Sequence, residues 1–304
     1  MITVHSIADY YNLPEAQRTS LQYSIKTAER LDDWLRQRNS QPPTPHKPKD
    51  HWVRCKHCID HVGLCSCKAE GHEGWVETEE RDNSGVHPSG VTDCLKKLYY
   101  ACSGKANEHH RFVDPTLQKI FDMGHAWHHV MQEFYGKKGA WGPPENYHPE
   151  VGIDPSEDGV WALGKQYWIR GHVDALLDDY RVNIAGMGEV SVRVVHEYKT
   201  IGSAGYKKLT KPKLEHVWQA SIYSAVLDAP LVVYLYTNKD NCQMADFVLP
   251  FNQNLWDNDI TKKIAAVQSY VNAQTDPPWQ MTSAKINPRD CFECGYKHIC
   301  NPPL

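Results

Sequence analysis

The placement of the cysteines constrains this chain more than any other feature. Cys55, Cys58, Cys65 and Cys67 lie within thirteen residues, and Cys291, Cys294 and Cys300 follow a C-x2-C-x5-C pattern near the other end. Cys94, Cys102 and Cys242 complete the ten. The stretch Met1 to Tyr11 has no basic segment followed by an apolar one, so no export signal is expected, and a cytoplasmic, reducing location is. Cysteines at short spacing in such a compartment read as metal ligands or reactive thiols before disulfides. No run of 18 apolar residues occurs, so neither a spanning helix nor a membrane partner is expected. With 33 basic and 37 acidic residues, the net charge of −4 excludes a wholesale basic coat but leaves room for a local basic groove.

Patterning divides the 304 residues into three parts. Residues 2–38 carry apolar and aromatic side chains at roughly helical spacing, which predicts an N-terminal helical segment over 1–40. Residues 39–50 hold four prolines and almost nothing apolar, the composition of a linker. Residues 41–86 then form a small Cys- and His-rich module that needs a staple to fold. From residue 87 to 304 the texture is globular. Helices are predicted over 89–102, 114–135, 214–228 and 253–273. Strands are predicted over 160–180, 189–200 and 231–236, with Gly186 and Gly188 as turn residues. That order suggests an α/β fold with helices packed on a central mixed sheet.

The chemistry concentrates between residues 171 and 223. Gly171-His172-Val173-Asp174 lies in one strand-like run and His196-Glu197-Tyr198-Lys199-Thr200 in the next. Side chains alternate along a strand, so Glu197 and Lys199 share a face and Tyr198 takes the other. Two carboxylates and an ammonium at one place suit Mg2+ or Mn2+ and a phosphate. An isolated E-x-K is usually a solvated face; its neighbours here argue otherwise. Gln219 and Tyr223 stand four apart on a helix, and Gly124 opens a run containing His125, His128 and His129.

G-x-x-x-H or G-H, G-x-x-D, E-x-K and Q-x-x-x-Y, in this order, resemble the RecB-like branch of the PD-(D/E)XK nuclease superfamily over residues 87–304. The resemblance implies a restriction-endonuclease-like core and a metal-dependent deoxyribonuclease. Asp174 and Glu197 would be metal-binding carboxylates, the Tyr198 backbone carbonyl a further ligand and Lys199 the catalytic lysine. The motif histidine would be His128 or His125, and Gln219 and Tyr223 would contact DNA or steady the site. An exonuclease acting on single strands or free ends, in recombination, repair or degradation, is the expectation. A structure-selective endonuclease and a non-catalytic adaptor are the alternatives. No G-x-x-x-x-G-K-(S/T) motif is present, so a helicase or recombinase would be a separate partner.

Cys94 sits in P-S-x-x-x-x-C-x-K-x-x-Y-Y, ahead of the core. One cysteine before the core and Cys291, Cys294 and Cys300 after it resemble the iron–sulfur subset of that branch, which includes the AddB nuclease domain and the CRISPR-associated RecB-like exonucleases. A [4Fe–4S] cluster is thereby implied; zinc on the three tail cysteines with His298 is the other reading. Cys55, Cys58, Cys65 and Cys67 have the pairing of a zinc site, with His57, His61 or His72 as substitute ligands. Cys102 and Cys242 read as buried thiols. Lys207, Lys208, Lys211 and Lys213 fall between the Glu-x-Lys strand and Gln219, where they would bind a DNA backbone without sequence preference.

Overall fold

The structure, a computed structural model, describes residues 2–40, 85–105, 115–154, 162–278, 291 and 294–300. In chain order the elements begin with β1 (Ile2–Val4), α1 (Ile7–Asn12), α2 (Glu15–Ser24) and α3 (Thr27–Ser40). Then come α4 (Leu95–Cys102), α5 (Pro115–His129), β2 (Tyr147–Ile153), α6 (Ala162–Gln166), β3 (Gly171–Ile184) and β4 (Gly188–Ile201). After α7 (Ser203–Tyr206) and α8 (Leu214–Val226) follow β5 (Leu231–Asn238), β6 (Met244–Pro250), α9 (Gln253–Leu255) and α10 (Thr261–Asn272).

The strands form one mixed sheet in the order β2-β3-β4-β5-β6, with β1 beside β4. The β3–β4 hairpin is its centre. Gly186 and Gly188 turn it at φ of 80° and 78°, a conformation that glycine adopts without the Cβ clash. β4 runs antiparallel to β3 and parallel to both β1 and β5. Because β3 holds one edge of β4, β1 at Val190–Val192 and β5 from Val194 onward share the other edge end to end.

Helices cover both faces of the sheet. On one, Leu95 and Leu98 of α4, Ala220, Ile222 and Tyr223 of α8, and Ile264 and Val267 of α10 pack against Val195, Val232, Tyr234 and Tyr236. On the other, Tyr10, Leu21 and Leu31 of α1–α3 join Met131 and Trp141 against Val192, Val194, Tyr198, Val233 and Leu235. Residues 2–40 thus contribute a strand and a helical layer to the same core as the rest.

Several sequence expectations need correction. The N-terminal 2–38 is not uniformly helical: Ile2–Val4 is a strand, and Ser6 and Asp9 form a reciprocal capping box that starts α1. Within 89–102 the helix begins only at Leu95, after a cap at Cys94. The strand expected over 160–180 starts at Gly171. The segment before it is α6, and Trp168 turns the chain at φ 53°. A short apolar run cannot separate those alternatives by periodicity. Strands β2 and β6 were not expected. β2 carries Pro149, which lowers strand propensity but is tolerated on an edge, where β2 lies. Cys102 is buried, but Cys242 is exposed, because it sits in the β5–β6 turn at φ 59°.

Trp141 anchors the layer behind the β3–β4 hairpin. It is 1% exposed, lies against Tyr147, His196 and Tyr198, and donates its indole N–H to the Thr27 carbonyl at 3.1 Å. Trp141→Ala should cost about 3–5 kcal/mol, read as a lower denaturant midpoint with an unchanged slope.

Candidate active site

The site begins where two strands part. β3 remains paired with β2 down to Gly171, but its ladder with β4 stops at Ala175 opposite His196. Asp174 is the next residue. Its Oδ2 accepts the Tyr198 backbone N–H at 2.6 Å, so a carboxylate replaces the missing ladder bond. The same Asp174 carries His128 Nδ1 at 3.3 Å from Oδ1. The motif glycine upstream has a steric reason as well. A Cβ at Gly171 would stand 3.2 Å from both the Tyr223 hydroxyl and the Pro88 ring. The P-S, G-x-x-D and Q-x-x-x-Y motifs therefore touch at one point.

On β4 the alternation holds. Tyr198 enters the α1–α3 side of the core, where its hydroxyl lies 3.0 Å from that of Tyr147 and 3.1 Å from His196 Nδ1. Lys199 turns toward α8 and donates to Gln219 Oε1 at 3.3 Å. Gln219 in turn hydrogen-bonds Tyr223. Glu197 is fully buried beside the Lys199 ammonium. Neither Glu197 oxygen has a properly directed hydrogen bond. A buried carboxylate in that condition is costly unless a cation neutralises it.

The charges of the site are mutually set. Burial pushes the Glu197 carboxyl above its ordinary value, although Lys199 pulls it down. For Asp174 burial also pushes upward, but His128, Lys199 and the Tyr198 N–H outweigh it and hold the carboxyl low. Burial lowers His128, yet Asp174 more than offsets this and raises it. Lys199 is likewise lowered by burial and raised further by Glu197 and Asp174, so it is a fixed ammonium.

Two residues that sequence reasoning passed over complete the surroundings. Gln132 is buried in the π-helical turn that continues α5 (Val130–Tyr135). Its amide donates to the Asp174 carbonyl at 2.9 Å and to Glu150 Oε1 at 2.6 Å. Glu150, on β2, has a φ of 51°. Gln132 was legible in principle, because it lies four residues beyond His128. Nothing in the sequence marked Glu150.

His125 and His129 are exposed on α5 and do not face Asp174 as His128 does. Lys207, Lys208, Lys211 and Lys213 are all exposed between α7 and α8, with Lys213 3.9 Å from Glu215. At the far end of α4, Tyr296 stacks on Tyr100 with ring centroids 5.7 Å apart, and Cys294 and Cys300 pack against this pair. Burial pushes the Cys94 and Cys300 thiols up, and the nearby Cys294 adds to this at both. Cys55, Cys58, Cys65 and Cys67, with His57, His61 and His72, lie outside the described residues. Among the described residues no three His, Cys, Asp or Glu side chains form an assembled metal cage, and no helix is long and apolar enough to cross a membrane.

No protein-family model matches the chain, and no curated protein is significantly similar to it. Among solved structures, it is similar to SSO0001 at 15% identity and a TM-score of 0.42, over 74% of this chain and 89% of that one. It is also similar to LHK-Exo in complex with dAMP, at 13% identity and a TM-score of 0.40, over 64% of this chain and 90% of that one. An alkaline exonuclease, LHK-Exo from Laribacter hongkongensis, matches at 13% identity and a TM-score of 0.38 over the same shares, 64% and 90%.

Proposed function

We propose that this chain is a divalent-cation-dependent DNA nuclease with Asp174, Glu197 and Lys199 as its catalytic residues. The observation that carries the reading is Glu197, a fully buried carboxylate with no directed hydrogen bond, set beside a fixed ammonium and within the field of Asp174. This donor set fits a hard cation such as Mg2+ or Mn2+. Asp174, Glu197, the Tyr198 carbonyl and His128 are the residues that would hold it. The cage is not closed in this conformation, because His128 is engaged with Asp174 and Lys199 with Glu197. When bound, the cation would supply Lewis-acid stabilisation of charge developing on a phosphate.

The protein's own groups do the rest. Lys199, with 20% of its side chain exposed, reaches the cleft and offers a proton donor to a phosphate oxygen or a water. Gln219 holds the Lys199 ammonium in direction, and Tyr223 holds Gln219. Water attacks phosphorus, the bond to the leaving oxygen breaks, and that oxygen takes a proton. Lys207, Lys208, Lys211 and Lys213 stand after the catalytic strand to carry the DNA backbone. Alanine at all four should weaken single-strand binding for every sequence alike. It should also flatten the log–log salt dependence by about 0.7 for each phosphate no longer neutralised, measured by anisotropy titration.

The finer reading is an exonuclease for single strands or ends, working beside a separate helicase or recombinase. A [4Fe–4S] cluster on Cys94, Cys291, Cys294 and Cys300 would clasp the tail to α4, and the Cys55–Cys67 group would take zinc. The test is digestion of linear and circular single-stranded DNA with Mn2+. Shortening of the linear form alone is expected. Cutting of the circle makes it an endonuclease, and no cutting of either overturns the nuclease reading. Iron and sulfide analysis of anaerobic protein, with a charge-transfer band in the visible, tests the cluster; zinc alone removes it.

A further inference from the structure

We propose that Glu150 is a further carboxylate ligand for a divalent cation at this site, acting from the β2 side of Asp174. The inference rests on the nuclease reading above and adds a residue to it.

Register places Glu150 first. Pro149 pairs with Ala175 and Val151 with Val173, and the intervening pair is missing from the ladder, so Glu150 and Asp174 face each other across a local break between β2 and β3. Residues facing each other on neighbouring strands lie close enough for their side chains to meet. The backbone is the second observation. Pairing is continuous on both sides of Glu150, with no register shift between β2 and β3, yet its φ is 51°. A branchless glycine would take that conformation more easily, and a strained non-glycine flanked by paired residues is characteristic of functional positions. Third, Gln132 spans the pair. One amide nitrogen donates both to Glu150 Oε1 and to the Asp174 carbonyl, which ties the orientation of the Glu150 side chain to the fork that sets Asp174.

The electrostatics point the same way. The negative charges of Glu197, Asp174 and Glu150 all act on the Tyr223 hydroxyl, so the three carboxylates lie within electrostatic reach of one point. The Lys199 ammonium is the counter-charge pressed against Glu197, whose own oxygens are buried without directed partners. Three carboxylates against one lysine leave the cleft negative even when His128 is also charged. A phosphodiester is an anion, and it enters such a place only with cations already there. Glu150 is exposed, so its second oxygen can meet a cation without the desolvation that Glu197 has already undergone.

The experiment is a Mn2+ titration followed by the paramagnetic resonance of the free ion, without DNA. Asp174→Asn identifies the binding event that belongs to this site. Glu150→Gln keeps an acceptor for the Gln132 amide but removes the charge, and it should weaken that event at least about tenfold. Glu150→Asp keeps the charge but shortens the reach by one methylene, and it should weaken binding similarly. Wild-type affinity in Glu150→Gln overturns the inference. Wild-type affinity in Glu150→Asp, with a loss in Glu150→Gln, also overturns it, since a field effect needs no ligation. If the wild-type chain binds no Mn2+ at a site sensitive to Asp174→Asn, the nuclease reading itself falls.

Discussion

Lys199→Ala should reduce DNA hydrolysis by about a hundred- to a thousandfold while leaving DNA affinity nearly unchanged. A single preorganised donor at the reacting centre is worth that much. Lys199 meets the conditions for such a donor. Its burial would favour the neutral amine, but Glu197 and Asp174 more than reverse this and keep the charge. Its direction is fixed by Glu197 on one side and Gln219 on the other. The lysines that would hold the DNA backbone lie on a different segment, between α7 and α8, which is why binding and chemistry separate in this variant. Removing Lys199 also strips Glu197 of its nearest counter-charge. Glu197 can answer by keeping a proton, since burial has already raised its carboxyl, so the fold persists. Single-turnover cleavage with a thermal melt as control checks both points. A loss below tenfold in a folded variant would remove Lys199 from the chemistry.

What could be read from the sequence follows the reach of local rules. Glu197, Tyr198 and Lys199 alternate across β4 as a strand requires, so their faces were legible from position alone. Gln219 and Tyr223 were legible as a helical pair, and the structure places both against the fork. The fork itself was not legible. It arises because β3 stays with β2 while leaving β4, a choice made by pairing among three strands, and β2 was unseen because of Pro149. Glu150 was lost with it. Among His125, His128 and His129, spacing left His125 and His128 as competitors. Only the rotation of α5 over the sheet turns His128 toward Asp174 and leaves the other two in solvent. Cys242 failed for a similar reason: burial depends on which turn a thiol occupies, and its turn faces outward.

Glu197→Gln should produce an inactive protein that is more stable than the wild type in the absence of divalent cations. The wild-type carboxylate is fully buried, and neither oxygen receives a directed hydrogen bond. An unsatisfied buried polar group costs about 1–3 kcal/mol and a charged one more, so a neutral side chain here lowers that cost. A glutamine of the same shape removes the ionic part of the desolvation cost, and its carbonyl lies beside the Lys199 ammonium. The same substitution removes a proposed ligand of the cation. Wild-type protein at a hundredfold excess of Mn2+ over its dissociation constant should gain about 2.7 kcal/mol, and Glu197→Gln should gain almost none. The two melting curves should therefore cross: the variant melts higher in chelator and the wild type higher in Mn2+. If the variant melts lower in both, Glu197 is a structural partner of Lys199. If Mn2+ stabilises both equally, the cation binds elsewhere. The crossing is what a site that sacrifices stability for cation binding must show, because in the proposed site the same two oxygens would be responsible for both effects.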